Sequence, residues 1–377
     1  MKVCGIDVHK SRCWVHIRDE NGVLHESTFI RDPEGLETIY ELLLKYQVNK
    51  VIMESTNSYW LPIYRLLCDN YECIVINAFQ RKVLGKHKTD VRDAEDLARW
   101  GLLDVVNASY VPSLAVQELR QLVRARTGVL QNRTAVVSQL KALLEGQCPG
   151  LTRALKDLNS KYAQVYLRDW RVGCNKSQFK EWVKDIPDHK TRAALLRREK
   201  ILSYWWERPL SSSMQILIDL QLRQYQFHSD EVKRLEKIIH ELSRESGLSD
   251  GIAKMETIPG LGFLTCVTVA SELGSPQRFK NAREAAASCG LTPRLHGSAG
   301  RIRAGRITKH GPSSVRRALF IACRTVIKRS PRFSEFYQRI KSRRGGMVAL
   351  VALCRKLLEL CWKLWSSNTT YRSSTPN

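Results

Sequence analysis

Four acids and one serine stand out as groups able to do chemistry. Asp7 lies in Gly5-Ile6-Asp7-Val8-His9-Lys10, a charge among apolar neighbours, and burying such a charge is costly unless something compensates it. Glu54 ends the apolar run Val51-Ile52-Met53 in the same manner. Asp90 and Asp93 stand three apart in Lys88-Thr89-Asp90-Val91-Arg92-Asp93-Ala94, which puts both on one face of a helix's first turn. Four carboxylates gathered together repel one another unless cations sit among them. Oxygen ligands suit Mg²⁺, and two such ions roughly 3.5 to 4 Å apart stabilise both the attacking and the leaving oxygen of a phosphoryl transfer; Mn²⁺ is the alternative ion. Read singly, Asp90 is equally a helix N-cap with Asp93 as its box partner, and Asp7 and Glu54 are strand-end acids. Jointly, in a basic chain, metal binding is the better reading. Glu95 and Asp96 are helix-start charges favoured by the macrodipole.

Ser298 lies in Gly297-Ser298-Ala299-Gly300-Arg301, which reads as a flexible loop framed by arginines. A serine hydroxyl attacks poorly unless the charge on the reacting phosphate is neutralised, a task that suits arginine's bidentate geometry. Arg301, Arg303, Arg306 and Lys309 are the expected phosphate contacts, with Arg294, Arg316 and Arg317 flanking them. The plainer reading of any single loop serine is a hydrogen bond to nearby backbone. Tyr337 is a rival nucleophile, but its helical spacing with Phe333 and Ile340 reads as core. Upstream, Thr257-Ile258-Pro259-Gly260-Leu261-Gly262 before an apolar helix resembles a helix-hairpin-helix element. There Gly260 and Gly262 would let backbone N–H groups approach a DNA phosphate; a plain helical corner is the alternative.

The whole chain must attract a polyanion. Its 377 residues carry 61 Lys+Arg against 37 Asp+Glu, a formal charge of +24. From Arg294 to Arg332 there are eleven basic residues and no acid, a block that an evenly solubilised surface would not show. Nucleic acid is therefore preferred over a membrane surface. No apolar run reaches the ~18 to 20 residues of a spanning helix, and charges within the first ten residues interrupt any signal peptide. Eleven scattered cysteines without a CxxC pair read as reduced core residues of a cytoplasmic protein and argue against zinc.

These groups need elements to position them. Residues 2–8, 13–18 and 24–30 read as three successive strands, with Asn21-Gly22 as a turn. Residues 33–46 carry a helical face behind Asp32 and Pro33. A strand at 51–54, a helix at 59–69, a strand at 72–77 and a helix at 91–103 follow, which predicts a mixed sheet with helices on its faces. That order resembles the ribonuclease H-like fold. Residues 114–145 and 214–242 read as long amphipathic helices, forming a coiled-coil arm, an antiparallel pair or a dimer seam; the stretch 151–225 suggests no role. The expected division is 1–110, an α/β ribonuclease H-like (RuvC-like) domain; 111–247, a helical region; 248–340, a mainly α domain bearing the serine; and 341–377, a closing helix and tail.

Together, the Asp7 strand, the Glu54 strand, Lys88 to Ala94 with Leu97-Ala98, and the block Gly290 to Arg317 with Arg306-Ile307-Thr308-Lys309 resemble the IS110-family transposases, relatives of the Piv-type DNA invertases. The resemblance implies a RuvC-like domain whose Asp, Glu, Asp, Asp set falls on Asp7, Glu54, Asp90 and Asp93 and binds Mg²⁺. It implies a C-terminal transposase domain whose serine, at Ser298, attacks DNA to give a covalent phosphoserine. It also implies double-stranded donor and target DNA, an element-encoded guide RNA that pairs with both, and homodimers that assemble into tetramers on DNA. Two motifs depart from the family: its Ser-Ser-Gly-Gly run is Gly297-Ser298-Ala299-Gly300 here, and its Ala-Thr-Gly after the strand-four Glu is Ser55-Thr56-Asn57. The rival readings are a RuvC-like nuclease using water, a Piv-like invertase, and a non-catalytic nucleic-acid-binding protein.

Overall fold

The computed structural model describes residues 1–55, 57–77, 90–171, 179–208, 210–298 and 301–372, with side chains omitted at 90–92, 295–298 and 301–304. Two compact units result, Met1–Pro112 and Ser113–Asn377. Lys88, Thr89, Thr56, Ala299 and Gly300 lie outside the described residues, as do the side chains of Asp90, Ser298, Arg301 and Arg303.

In the first unit β1 (Val3–Val8), β2 (Arg12–Asp19) and β3 (Gly22–Ile30) form an antiparallel meander. Asp19 Oδ1 accepts from the backbone N–H of Asn21 and Gly22, so the turn is Glu20-Asn21 and Gly22 already belongs to β3. Helix α1 (Pro33–Lys45) starts as expected: the Asp32 side chain accepts from Gly35 N, and Pro33 occupies the first turn. Then come β4 (Lys50–Glu54), α2 (Leu61–Leu67), β5 (Glu72–Ile76) and α3 (Asp90–Leu102). The sheet order is β3-β2-β1-β4-β5, with β4 and β5 parallel to β1.

Period-two alternation divides the sheet's residues between two cores. Cys4, Ile6, Val8, Val51, Met53 and Val75 pack with Ile39, Leu43, Ile63 and Leu67 of α1 and α2. Val3, Ile52, Ile74 and Ile76 pack with Leu97 and Trp100 of α3 on the other face. Glycines bring α3 unusually close. A Cβ on Gly101 would fall 2.6 Å from Ile52 Cγ1 and 2.8 Å from Val3 Cγ1, so any side chain there would push helix and sheet apart.

The second unit is built on two long helices, α4 (Leu114–Gln147) and, after the intervening helices, α10 (Ser212–Glu245). They run antiparallel: the start of α4 (Val116, Leu119, Val123) shares a core with Ile239, and its end (Leu140, Leu144) shares another with Met214, Ile218 and Leu222. Of the three arrangements expected, the chain forms the antiparallel pair with itself. Between them, α5 (Leu151–Leu155), α6 (Lys161–Arg171), α7 (Phe179–Lys184), α8 (His189–Leu196) and α9 (Glu199–Trp206) fold into an aromatic head. Trp182 stacks on Trp206 at 4.1 Å, and the Tyr166 hydroxyl donates to Leu202 O. This stretch lacked a readable period because its helices are short and their aromatic core comes from several at once.

At the opposite end α11 (Ser249–Glu256), α12 (Phe263–Leu273), α13 (Ala282–Ser288), the hairpin β6 (Pro293–Ser298) and β7 (Arg301–Ile307), α14 (Ser313–Arg329), α15 (Pro331–Arg344) and α16 (Gly346–Ser366) complete the unit. The closing helix α16 is no appendage: Leu353, Leu357, Leu358 and Cys361 lie in the same core as α12 and α14. Glu272 of α12 is buried, held by Arg124 Nε and Nη2, each at 2.8 Å, and by the Ser314 hydroxyl at 2.7 Å, and so joins α4, α12 and α14.

Candidate active site

Asp7 and Glu54 reach the same face of the sheet. They lie one step beyond the paired residues Ile6 and Met53 on parallel neighbours, and alternation points them to the α3 side. Asp93 precedes Ala94, whose backbone rides over Gly5. All three carboxylates are nearly inaccessible, at 2%, 6% and 6% exposure. Asp90 opens α3. His9, two residues beyond Asp7 and so on the same face, brings Nε2 to 3.0 Å from Asp7 Oδ2 and packs edge-on against Trp14. That role was missed in the sequence, although the two-residue spacing of Asp7 and His9 carried it. Glu95 lies 3.9 Å from Arg18, in keeping with a helix-start charge.

The donor set is carboxylate oxygen, which suits hard divalent ions. Among the described residues no three His, Cys, Asp or Glu side chains close around one point; the side chain of Asp90 lies outside them. Thiols do not compete: burial pushes Cys13 up to about 11 and Cys73 up to about 12, and the described cysteines are all free. On β2 nearby, His16 is buried, and that burial lowers its pKa, opposed by Glu26. The ring is therefore neutral at pH 7.

The serine region is a hairpin where the sequence suggests a loop. Ser298 is the last residue of β6 and pairs with Arg301 across the hairpin, while Arg303 pairs with His296. The base of the hairpin is locked by glycines at positive φ. A Cβ on Gly290 would lie 2.2 Å from His310 O, and one on Gly311 would lie 1.9 Å from Ser288 O. Arg306 and Lys309 are exposed beyond it. Arg294 Nη2 donates to Thr308 O at 3.3 Å. Arg316, expected to contact phosphate, directs Nη1 to the carbonyls of Cys289, His310 and Gly311; it organises the hairpin's base. Arg317 is exposed.

The two helical-corner glycines separate. A Cβ on Gly260, at φ +93°, would meet Val326 N at 2.8 Å, so the lack of a side chain there serves packing against α14. Gly262 caps α12 with nothing near its Cβ position. Tyr337 is half-buried beside Lys341, and Phe333 next to it is the core residue.

A mixed-sheet unit with buried acids, followed by a helical unit with a basic hairpin, describes a class of DNA-processing enzyme, and the comparisons name it. Residues 4–149 match a transposase model of the IS110 DEDD type, and residues 253–338 match the transposase IS116/IS110/IS902 family. The transposase for insertion sequence element IS1111A of Coxiella burnetii is 21% identical over 99% of this chain and 92% of its own length. The transposase for insertion sequence element IS1328 of Yersinia enterocolitica is 28% identical over 41% of this chain and 48% of its own. The pilin gene-inverting protein of Moraxella bovis is 28% identical over 38% of this chain and 46% of its own; the chain thus spans about half of each of these last two. The chain belongs to the IS110 family of transposases. Among the described residues no helix is long and apolar enough to cross a membrane.

Proposed function

We propose that the first unit is a ribonuclease H-like (RuvC-like) domain and that the protein cuts and rejoins double-stranded DNA through a covalent serine intermediate. One observation carries the reading: Asp7, Glu54 and Asp93 are buried on the α3 side of one sheet, with α3 drawn onto Gly5. Buried carboxylate oxygens on one face of a sheet are ligands that suit a hard divalent cation. Asp7, Glu54, Asp90 and Asp93 would hold divalent metal, Mg²⁺ by the chemistry of the donors. Bound there, the metal would polarise the phosphate and stabilise the oxygens entering and leaving it.

The remaining steps belong to the chain. Ser298 Oγ attacks a backbone phosphorus; the Oγ–P bond forms as the bond from phosphorus to one deoxyribose oxygen breaks, and that oxygen takes up a proton. In the second step a hydroxyl of the recombining strand attacks the phosphoserine and returns Oγ to the enzyme, so no external energy source is needed. Arg301, Arg303, Arg306 and Lys309 neutralise the phosphate, and Arg316 holds the hairpin that carries Ser298. A guide RNA supplies sequence choice, and dimers assemble into tetramers on donor and target DNA in the cytoplasm; these features are carried by family membership alone.

The test is strand exchange with the element's own ends and flanking RNA, followed on denaturing gels. A protein–DNA adduct is expected with the wild type, lost in Ser298→Ala; Asp7→Asn loses cleavage as well. An adduct that persists without Ser298 would end the assignment. A second reading, inversion of a DNA segment, is favoured by the Moraxella match; it predicts reaction between two sites on one molecule in preference to separate ones.

A further inference from the structure

Beside Asp7, on the α3 side of the sheet, Trp14, His16, Glu26, Thr28 and Ala94 line a cavity of about 260 Å³. Nothing in the proposed reaction uses it. Its least expected feature is His16, 1% exposed, with both ring nitrogens buried and making no well-directed hydrogen bond among the described residues, although Nδ1 lies 2.9 Å from Glu26 Oε1. Leaving such a nitrogen buried and unpaired is costly. A ligand that supplies the missing bond removes that cost.

The lining narrows the ligand. The volume falls below the ~300 to 1,000 Å³ of pockets for drug-sized molecules, and suits one flat heterocycle. Trp14 is half-buried and presents the indole on which a nucleobase stacks. The Glu26 carboxylate repels a phosphate and accepts from an exocyclic amine, as acids do from cytosine N4. The imidazole offers one donor or one acceptor to the base edge. The position also matters: Trp14 is the strand partner of Asp7, and His9 contacts both, at 3.0 Å from Asp7 and with its ring centroid 5.1 Å from that of Trp14.

We propose that this cavity is a nucleobase subsite that takes one unpaired cytosine or adenine, turned out of the strand next to the phosphate being cut. The proposal rests on the DNA-cutting reading above and deepens it. Turning out a base costs stacking energy, least where the strand is already unpaired, so the subsite favours DNA opened by recombination over intact duplex. Trp14 supplies the platform, Glu26 and His16 read the edge, and His9 couples the occupied pocket to Asp7.

The experiment has two arms. In the first, full-length protein labelled with ¹⁵N in its tryptophan indoles is titrated with cytidine, adenosine, thymidine and inorganic phosphate. The Trp14 resonance should move saturably with cytidine and adenosine, and stay in place with thymidine and phosphate. His16→Ala should weaken that response. In the second arm, substrates carry one abasic site at successive positions around the cut. One position should slow wild-type cleavage about tenfold, the scale of a base-on-aromatic stack, and should cost Trp14→Ala nothing further. A Trp14 signal indifferent to nucleosides, or equal responses to thymidine and cytidine, overturns the subsite. Asp7→Asn separates the two readings. If the titration is flat while Asp7→Asn and Ser298→Ala stop the reaction, the subsite alone falls. If the titration succeeds while those variants still cut DNA, the catalytic reading falls and the pocket stands.

Discussion

Gly5 of the first strand and Ala94 of the third helix meet backbone to backbone: a Cβ on Gly5 would lie 2.1 Å from Ala94 O and 2.6 Å from Ala98 N. The helix that carries Asp93 and Asp90 can reach the strand that carries Asp7 because one residue between them has no side chain. The contact joins packing to chemistry.

Gly5→Ala should therefore damage both. Overpacking of this kind costs about 1 to 3 kcal/mol, and the relief available is to move α3 outward with its acids. Urea unfolding should show the loss, and DNA cleavage per folded molecule should fall with it. Gly128→Ala is the control of opposite sign. A Cβ there meets nothing in the middle of α4, so helix propensity alone should raise stability by about 1 kcal/mol. A Gly5→Ala protein as stable and active as the wild type would show that α3 is not held by this contact.

Glu272 is the second sensitive position. Its carboxylate is 3% exposed, bonded by Arg124 and Ser314, with Arg120 Nε at 3.5 Å. Removing one partner of a buried pair leaves the others unmatched. Because Arg124 is itself half exposed and regains water, Glu272→Ala should cost about 2 to 3 kcal/mol, read as a lowered denaturation midpoint. Arg124→Ala should cost less, since Arg120 remains.

Arg316 should act through the hairpin rather than on phosphate. With Nη1 shared among three carbonyls, Arg316→Gln should cost about 1 to 2 kcal/mol and speed hydrogen exchange at Thr308 and Lys309, whose amides bond Thr292 and Gly290. Arg306→Gln should leave exchange unchanged, weaken DNA binding and flatten its salt dependence. Equal behaviour of the two variants in both measurements would refute the division of roles.

His16 predicts an acid limb. Burial, partly offset by Glu26, lowers its pKa below the ordinary 6.5, so the unfolded chain binds a proton in a range where the folded one does not. Stability is then full above about pH 6.5 and falls as pH drops through that value toward the depressed folded pKa. Melting temperatures from pH 8 to pH 5 should decline in the wild type and decline less in His16→Gln.

How much was legible depended on how local each signal is. Strands β1 to β3, α1 with its Asp32 cap and both long helices follow from period, cap and turn residues within a few positions of each other, and these were read correctly to within a few residues. For Ser298 the sequence suggests a loop, because its glycines dominate the local pattern. Its strand identity comes from pairing with Arg301, which neither segment announces alone. Gly260 has the same lesson: a glycine before a helix suggests a phosphate, yet its φ and the backbone of Val326 show that it makes room for α14.

Residue order alone pointed to the groups from which chemistry is expected, because acids in apolar strands and arginines around a serine are unusual wherever they fold, and the family is matched on the sequence as well. Only tertiary structure decided which face those acids share, that His9 holds Asp7, that Arg316 supports a hairpin, and that His16 borders an open cavity. The reason is physical: charge and periodicity are properties of a segment, whereas burial and an unmet hydrogen bond are defined by what other segments bring alongside it.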